Sequence, residues 1–352
     1  TLQERTASAS NPAGSTTPAS PGRPCYNVLM KAIHMIAAGP AGEALQLVDV
    51  PEPEITTPTS IKVQLRAAGV NPVDTKLRAR GVLFPDALPA ILGCDGAGVV
   101  TGTGSDVTRF NHGDAVWFCH GGLGGAPGNY AGYTVLEENE AEAMPADLDF
   151  EQAAALPLVL ITAWEALFDR ARLGQGQTVL IHAGAGGVGH VAIQLARTTG
   201  ARVATTVSTA EKGDFVSKLG AEKIIHYREQ NFVREIMDWT DGQGVDVVLD
   251  SHGGDIFKQS LAAARVYGQV VTLLDPGSDV DWNEARNRNL GIHFTLMLTP
   301  MLQDLPEARA LQGEILRRCA ELVDDGKLKP HITESLALVE AVEAHVMIEE
   351  GH

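Results

Sequence analysis

Apolar residues in the first part of the chain come in short runs separated by Pro and Gly: KAIHMIA, ALQLVDV, SIKVQLRAAGV, GAGVVTGTG, DAVWFC and GYTVLEE. Such runs, bounded by turn formers, read as strands. One segment between them, NPVDTKLRARG, reads as a helix, with Pro72 just inside its start and Asn71 placed to cap it. Residues 30 to about 142 are therefore expected to form a mostly antiparallel, Gly-rich β-domain. The pattern changes at FEQAAALPLVLITAWEALFDRAR, a helical stretch interrupted by Pro157. Beyond it come TVLIHAG, a helix over 187–199, ARVATTVS, a helix over 211–219, KIIHY, a helix over 231–239, VDVVLDS and QVVTLL. Continuous apolar strands separated by amphipathic helices imply a parallel sheet covered on both faces. From residue 299 the chain is helical again, in EILRRCAELVDDG and LALVEAVEAHVMIEEG.

At 352 residues the chain suits two domains of ~150 residues. Its 44% apolar and 20% charged residues are those of an ordinary globular protein. No apolar run approaches the ~20 residues of a membrane span. A net charge of −17 disfavours nucleic-acid backbone and anionic lipid as partners. Cys25, Cys94, Cys119 and Cys319 are too few and too scattered for a disulfide scaffold, which fits a reducing, cytoplasmic compartment. Residues 1–29, mostly Ser, Thr, Pro, Ala and Gly over their first part, lack apolar periodicity and are expected to be a disordered or non-native extension.

Chemistry concentrates in TVLIHAGAGGVGHVAIQLARTTG. Gly184, Gly186 and Gly189 fit G-x-G-x-x-G directly after a predicted strand, and Gly187 opens a predicted helix. The first glycine would permit a tight turn, the second a close approach to a pyrophosphate, and the third close helix–strand packing. The helix N-terminus would offer free amides to the phosphates. A flexible turn is the other reading of so short a motif, but its strand–helix setting and the further βα units favour a dinucleotide.

NAD sites place a carboxylate at the end of the second strand, on the ribose 2′-hydroxyl. Here ARVATTVS ends at Ser208 without one, and Lys212 follows about one helical turn later. A hydroxyl plus an ammonium suits a 2′-phosphate, and Tyr227, at the end of the third strand, is placed to close the same pocket. In the competing reading Ser208 is a helix cap and Lys212 a solvated surface residue. The expected cofactor is NADPH.

Together, AAGVNPVDTKLRARG, PAILGCDGAGVV, GNYAGYTVL, AAALPLVLITAWEAL, AGAGGVGHVAIQLA and GAEKIIHYRE resemble the medium-chain dehydrogenase/reductase superfamily, and within it the zinc-free quinone oxidoreductase branch. The resemblance implies a GroES-like β-rich catalytic domain over 30–154 and a doubly wound Rossmann domain over 155–298, with the active site in the cleft between them. Residues 299–352 would return to the first domain. Relatives continue past Gly-His with a short strand and a basic residue, so that return is expected to be truncated at His352. The family further implies a homodimer or homotetramer joined at the edge of the Rossmann sheet, where GIHFTLML is the candidate edge strand.

Zinc-dependent relatives carry a Cys where this chain has Asn71, Gly-His-Glu where it has Gly93-Cys94-Asp95, and a further cysteine near Pro157 and Leu158. Their four-cysteine lobe is missing too, so no metal is expected, and Cys94 reads as a small buried residue. Carbonyl polarisation then falls to hydrogen bonds or to conjugation, which suits quinones, enones and reactive aldehydes. Similarity places Asn71 beside the nicotinamide and Thr162 at its carboxamide, and adds Val188, Ser251 and Leu273 as cofactor contacts. Asn71 has a second role open to it as a helix cap.

Lys76 stands where many quinone reductases have a tyrosine; it is either a donor to the developing oxyanion or a solvated helix residue. Asp74 reads as a structural carboxylate at a helix start. Tyr130 reads as cleft-lining, or as packed with its hydroxyl satisfied. His182, His226 and His252 read as loop or packing residues. Two other functions stay open: a zinc-type alcohol dehydrogenase with an altered metal site, and a cofactor-loaded, non-catalytic binding protein.

Overall fold

The computed structural model describes residues 28–84 and 86–351. The expected disorder of the N-terminal extension therefore lies, up to residue 27, outside the described residues, as does the chain's end at His352. In chain order the β-rich half contains β1 (Leu29–Met35), β2 (Leu45–Pro51), β3 (Ser60–Ala68), β4 (Ala90–Ile91), β5 (Asp95–Thr103), β6 (Ala115–Cys119), β7 (Tyr133–Glu137) and β8 (Ala141–Ala143). They form a three-stranded sheet, β2-β1-β4, and a five-stranded sheet, β7-β3-β5-β6-β8. Every pairing in both is antiparallel, as the short broken runs predict. In β6 the neighbours Trp117 and Phe118 are both fully buried, in two different apolar cores on opposite sides of the strand.

The second half is built on β9 (Thr178–Ile181), β10 (Arg202–Val207), β11 (Lys223–His226), β12 (Val245–Asp250), β13 (Ala264–Thr272) and β14 (Gly291–Phe294). These six strands are parallel and ordered β11-β10-β9-β12-β13-β14, so the direction of winding reverses between β9 and β12. Their apolar runs serve two cores at once. Val179, Ile181, Val203, Val207, Val247 and Leu249 face the core under the Gly187–Thr198 helix. Leu180, Ala204 and Val248 face the other, with Phe232, Ile236 and Phe257. A strand buried on both faces has no polar side to show, which is why these segments read as continuous rather than alternating.

Pro157 does not kink one long helix. It takes the first position of a new helix, Pro157–Trp164, after the separate helix Phe150–Ala154, where its missing N–H costs nothing. The periodic reading leaves out the helix Gly254–Ala263, between β12 and β13. The C-terminal helices Pro306–Asp324 and Ala341–Glu350 pack back onto the β-rich half, the first against β8 and the second against the helix Pro72–Arg80. Arg309 on the first pairs with Glu140 at 2.7 Å, and Glu140 also meets His120 at 2.7 Å. Arg78 pairs with Glu349 on the second. Among the described residues no helix is long and apolar enough to cross a membrane.

Candidate active site

In the segment after β9 two positions have no room for a side chain. A Cβ on Gly184 would lie 2.0 Å from the Thr205 hydroxyl, and one on Gly189 would lie 2.2 Å from the Ala183 carbonyl oxygen. The tight turn itself falls on Ala183, at φ +51°, rather than on the first glycine. Gly186 caps the twelve-residue helix Gly187–Thr198, and both Gly186 and Gly187 are exposed. The first-turn amides of Gly187, Val188 and Gly189, which a helix cannot satisfy internally, thus stand at an open rim. His182 is a packing residue. Its ring bonds Thr206 at 3.2 Å and Ser260 at 3.0 Å, and burial, with His252 nearby, pushes its pKa down to about 3.

The neighbouring strand ends carry the other expected contacts. Ser208 follows β10, half-buried, and its hydroxyl makes no hydrogen bond among the described residues. The cap of the next helix, Ala210–Leu219, is Thr209, whose hydroxyl accepts from the Lys212 N–H at 3.3 Å. Lys212 itself is exposed. Tyr227 follows β11, donates its N–H to the Val207 carbonyl at 3.2 Å and leaves its side chain 49% exposed. Ser251 follows β12, its hydroxyl 3.4 Å from the His182 carbonyl. Leu273 follows β13 and donates to the Asp250 carbonyl at 2.9 Å. The structure thus lines up Tyr227, Ser208, the glycine turn, Ser251 and Leu273 along the carboxyl edge of one sheet, on both sides of the winding reversal, where open α/β sheets bind ligands.

A second group comes from the β-rich half. Asn71 is the buried N-cap of Pro72–Arg80, and its backbone N–H donates to Asp74 at 2.8 Å. Its side-chain amide donates to Asp95 Oδ2 at 2.9 Å, and Asp95 Oδ1 accepts from the Leu158 N–H at 2.9 Å. One turn beyond Leu158 in the same helix is Thr162, buried, its hydroxyl donating to the Leu158 carbonyl at 2.7 Å. Between them sits Val159, which a Cβ on Gly187 would touch at 3.4 Å. Asn71 and Thr162 are thereby linked through Asp95 and Leu158, and the helix carrying Thr162 packs against the Gly187–Thr198 helix.

Lys76 is not brought to them. It is exposed, two residues on from Asp74 and so on the opposite side of the helix. Tyr130 is buried and donates its hydroxyl to Asp74 at 3.0 Å, the packed arrangement of its two readings. Asp95 itself escaped the sequence reading as anything but a candidate ligand.

Burial raises the pKa of Asp95 to about 7 and that of Asp74 to about 6, with mutual repulsion adding to Asp95. The thiols of Cys94 and Cys119, buried beside them, are pushed well above their usual range by the same cause. These groups do not suit zinc. Both Asp95 oxygens already accept N–H bonds, and the Asn71 amide presents a donor. Among the described residues no group of three His, Cys, Asp or Glu side chains is placed to hold a metal ion. A dinucleotide, in contrast, fits a turn from which side chains are sterically excluded.

The chain matches two protein families: alcohol dehydrogenase GroES-like domain over residues 57–146, and zinc-binding dehydrogenase over residues 219–352. It is 35% identical over 302 residues to a quinone oxidoreductase of Pseudomonas aeruginosa, covering 84% of this chain and 89% of that one. A crystal structure of an alcohol dehydrogenase superfamily protein from Novosphingobium aromaticivorans superimposes with a TM-score of 0.84 at 36% identity, over 92% of this chain and 95% of that one. The quinone oxidoreductase of Escherichia coli, crystallised with NADPH, gives a TM-score of 0.78 at 30% identity, over 91% of this chain and 96% of that one.

Proposed function

The chain belongs to the medium-chain dehydrogenase/reductase superfamily, in its quinone oxidoreductase-like branch, and on that footing we propose that it reduces quinones or other α,β-unsaturated carbonyls with NADPH and without a metal. The observation that carries the cofactor choice is the end of β10. β10 itself ends without a carboxylate, at the uncommitted hydroxyl of Ser208, and the next helix's first turn adds the exposed ammonium of Lys212 with Glu211 beside it. A carboxylate at the strand end would repel a 2′-phosphate. The likeness to the NADPH-bound E. coli structure supports the same choice.

When bound, the nicotinamide supplies a hydride. The chain's own residues bind and polarise. The amides of Gly187, Val188 and Gly189 receive the pyrophosphate, Ser208, Lys212 and Tyr227 hold the 2′-phosphate end, and Ser251, Leu273 and Thr162 fix the rest of the cofactor. Asn71 has one amide N–H committed to Asp95 and gives the other to the substrate oxygen on which charge accumulates. Lys76, on the far side of its helix, stays solvated in this reading.

The catalytic part comprises residues 30–154 with 299–352 returned to it, and the nucleotide part 155–298. Two copies or more join through β14, the sheet's edge strand, where Phe294 is 58% exposed. Free, buried Cys94, Cys119 and Cys319 suit a cytoplasmic setting.

The test is fluorescence titration with NADPH and NADH, with metal content measured on the same sample. Replacing Ser208 and Lys212 by Ala together is expected to weaken NADPH about tenfold or more and to leave NADH nearly unchanged. Equal losses would remove the 2′-phosphate assignment. Zinc at one per chain would overturn the metal-free mechanism.

A further inference from the structure

We infer that Asp95 is a positioning residue for the reduction, setting the orientation of the Asn71 amide and tying it to the helix that meets the nucleotide turn. The inference rests on the reading of Asn71 as the donor to substrate oxygen. Asp95 is fully buried and has two oxygens, and each is used by a different element. One receives the Asn71 amide N–H at 2.9 Å, and the other receives the Leu158 N–H at 2.9 Å. An amide side chain such as Asn71 has an oxygen face and a nitrogen face of nearly equal shape. Only a partner that accepts and never donates fixes which is which; Asp95 is such a partner in its ionised form, which prevails above pH about 7, so the comparison is made at pH 8. The Asp74 carboxylate does not do this for Asn71, because its contact is to the backbone N–H; the Asp74 backbone N–H faces the Asn71 side chain in the capping box and turns the amide the same way.

The second oxygen extends the effect. Leu158 is the second residue of the helix Pro157–Trp164, which packs against the Gly187–Thr198 helix and carries Thr162 one turn later. A single carboxylate thus sets the donor and the nucleotide-side helix relative to each other, from a position that touches neither substrate nor cofactor.

Asp95→Asn separates these two duties. The Leu158 N–H needs an acceptor, so the new side chain keeps its oxygen there and turns its NH2 toward Asn71. Two NH2 groups then face each other, and the Asn71 amide turns over or is released. Shape and volume are unchanged, so folding and the nucleotide turn are expected to survive.

The experiment uses the full chain and four proteins: wild type, Asp95→Asn, Asn71→Ala and the double variant. The readouts are kcat and KM with NADPH and 1,4-benzoquinone, the NADPH dissociation constant and Tm. Asp95→Asn is expected to lower kcat about tenfold to a hundredfold, less than the roughly hundredfold to thousandfold that complete loss of an oxyanion donor costs, with NADPH affinity unchanged within about twofold. Asn71→Ala should lower kcat at least as much, and adding Asp95→Asn to it should change nothing further, because its intermediary is gone.

The inference is overturned if Asp95→Asn leaves kcat intact, if it slows the Asn71→Ala protein by a further full factor, or if its loss of kcat only follows a loss of Tm and NADPH affinity. In those cases, with Asn71→Ala slow, the donor reading stands alone. If Asn71→Ala is as fast as wild type, or if no quinone is turned over at all, the donor reading fails and takes this inference with it.

Discussion

At the end of β10 two hydroxyls stand side by side, and the backbone gives them different work. Thr209 takes the cap because the helix begins at Ala210, which leaves the Ser208 hydroxyl uncommitted at the cofactor edge. A sequence cannot choose between adjacent capping residues without knowing the helix start to within one position. Asp95 was harder still. Its partners lie 24 and 63 residues away in the chain, so no local pattern reveals that both its oxygens are occupied.

The same residue carries a stability signature. Its pKa rises from 3.8 to about 7, so folding favours its protonated form. Its stabilising contribution is complete in acid, below the unfolded value, and is lost as pH rises through about 7. Asp74 acts in the same direction through about 6. Tm is therefore expected to fall between pH 5 and pH 8, and to fall less for Asp95→Asn, which has no proton there to lose. Parallel declines in thermal melts of the two proteins would show that Asp95 is not the titrating group.

Elements were the most legible scale. Short runs broken by Pro and Gly read as the antiparallel strands, and continuous runs separated by helices read as the parallel ones. The helix Gly254–Ala263 hid behind Gly253 and Gly254, at φ +70° and +50°, a pair that reads as a turn and here leads directly into a helix. The glycine turn stands between a strand and a helix as its motif predicts, with the tight φ on Ala183 rather than on the first glycine.

The measured space ranks its members. A methyl group on Gly189 meets a backbone oxygen at 2.2 Å, whereas one on Gly186 meets the same oxygen at 3.2 Å. Gly189→Ala must push the helix off the strand, and overpacking of this kind costs about 1–3 kcal/mol. Gly189→Ala should lower both Tm and NADPH affinity, and Gly186→Ala should lower them far less. Isothermal titration of both variants checks the order, and a reversed ranking would mean that the turn adapts in a way these contacts do not describe.

At the scale of the molecule, the division into a β-rich and a parallel half follows from patterning, whereas the return of the C-terminal helices came only from family resemblance. What pins them are contacts between distant segments. Arg309 and Glu140 pair at 2.7 Å with side chains only 14% and 9% exposed, and His120 supports the carboxylate from its other side. Removing one member of a buried pair leaves the other charge uncompensated and costs about 3–5 kcal/mol. Arg309→Ala should lower the urea-unfolding free energy by roughly that amount. A change below about 0.5 kcal/mol, the range of an ordinary surface substitution, would mean that the helix is held by its apolar face alone.

Gly184 and Thr205 bear on the history such a chain can have. The hydroxyl of Thr205 fills the space a methyl group at position 184 would need, and it donates to the Ile181 carbonyl at 2.7 Å while doing so. The two positions can change together, though not in either order. A lineage that first trims residue 205 passes through a chain with a small void and one lost hydrogen bond. A lineage that first adds a carbon at 184 passes through a steric collision. Descent through this pair runs one way, and a library built on the intact Thr205 background should return almost no survivors altered at 184.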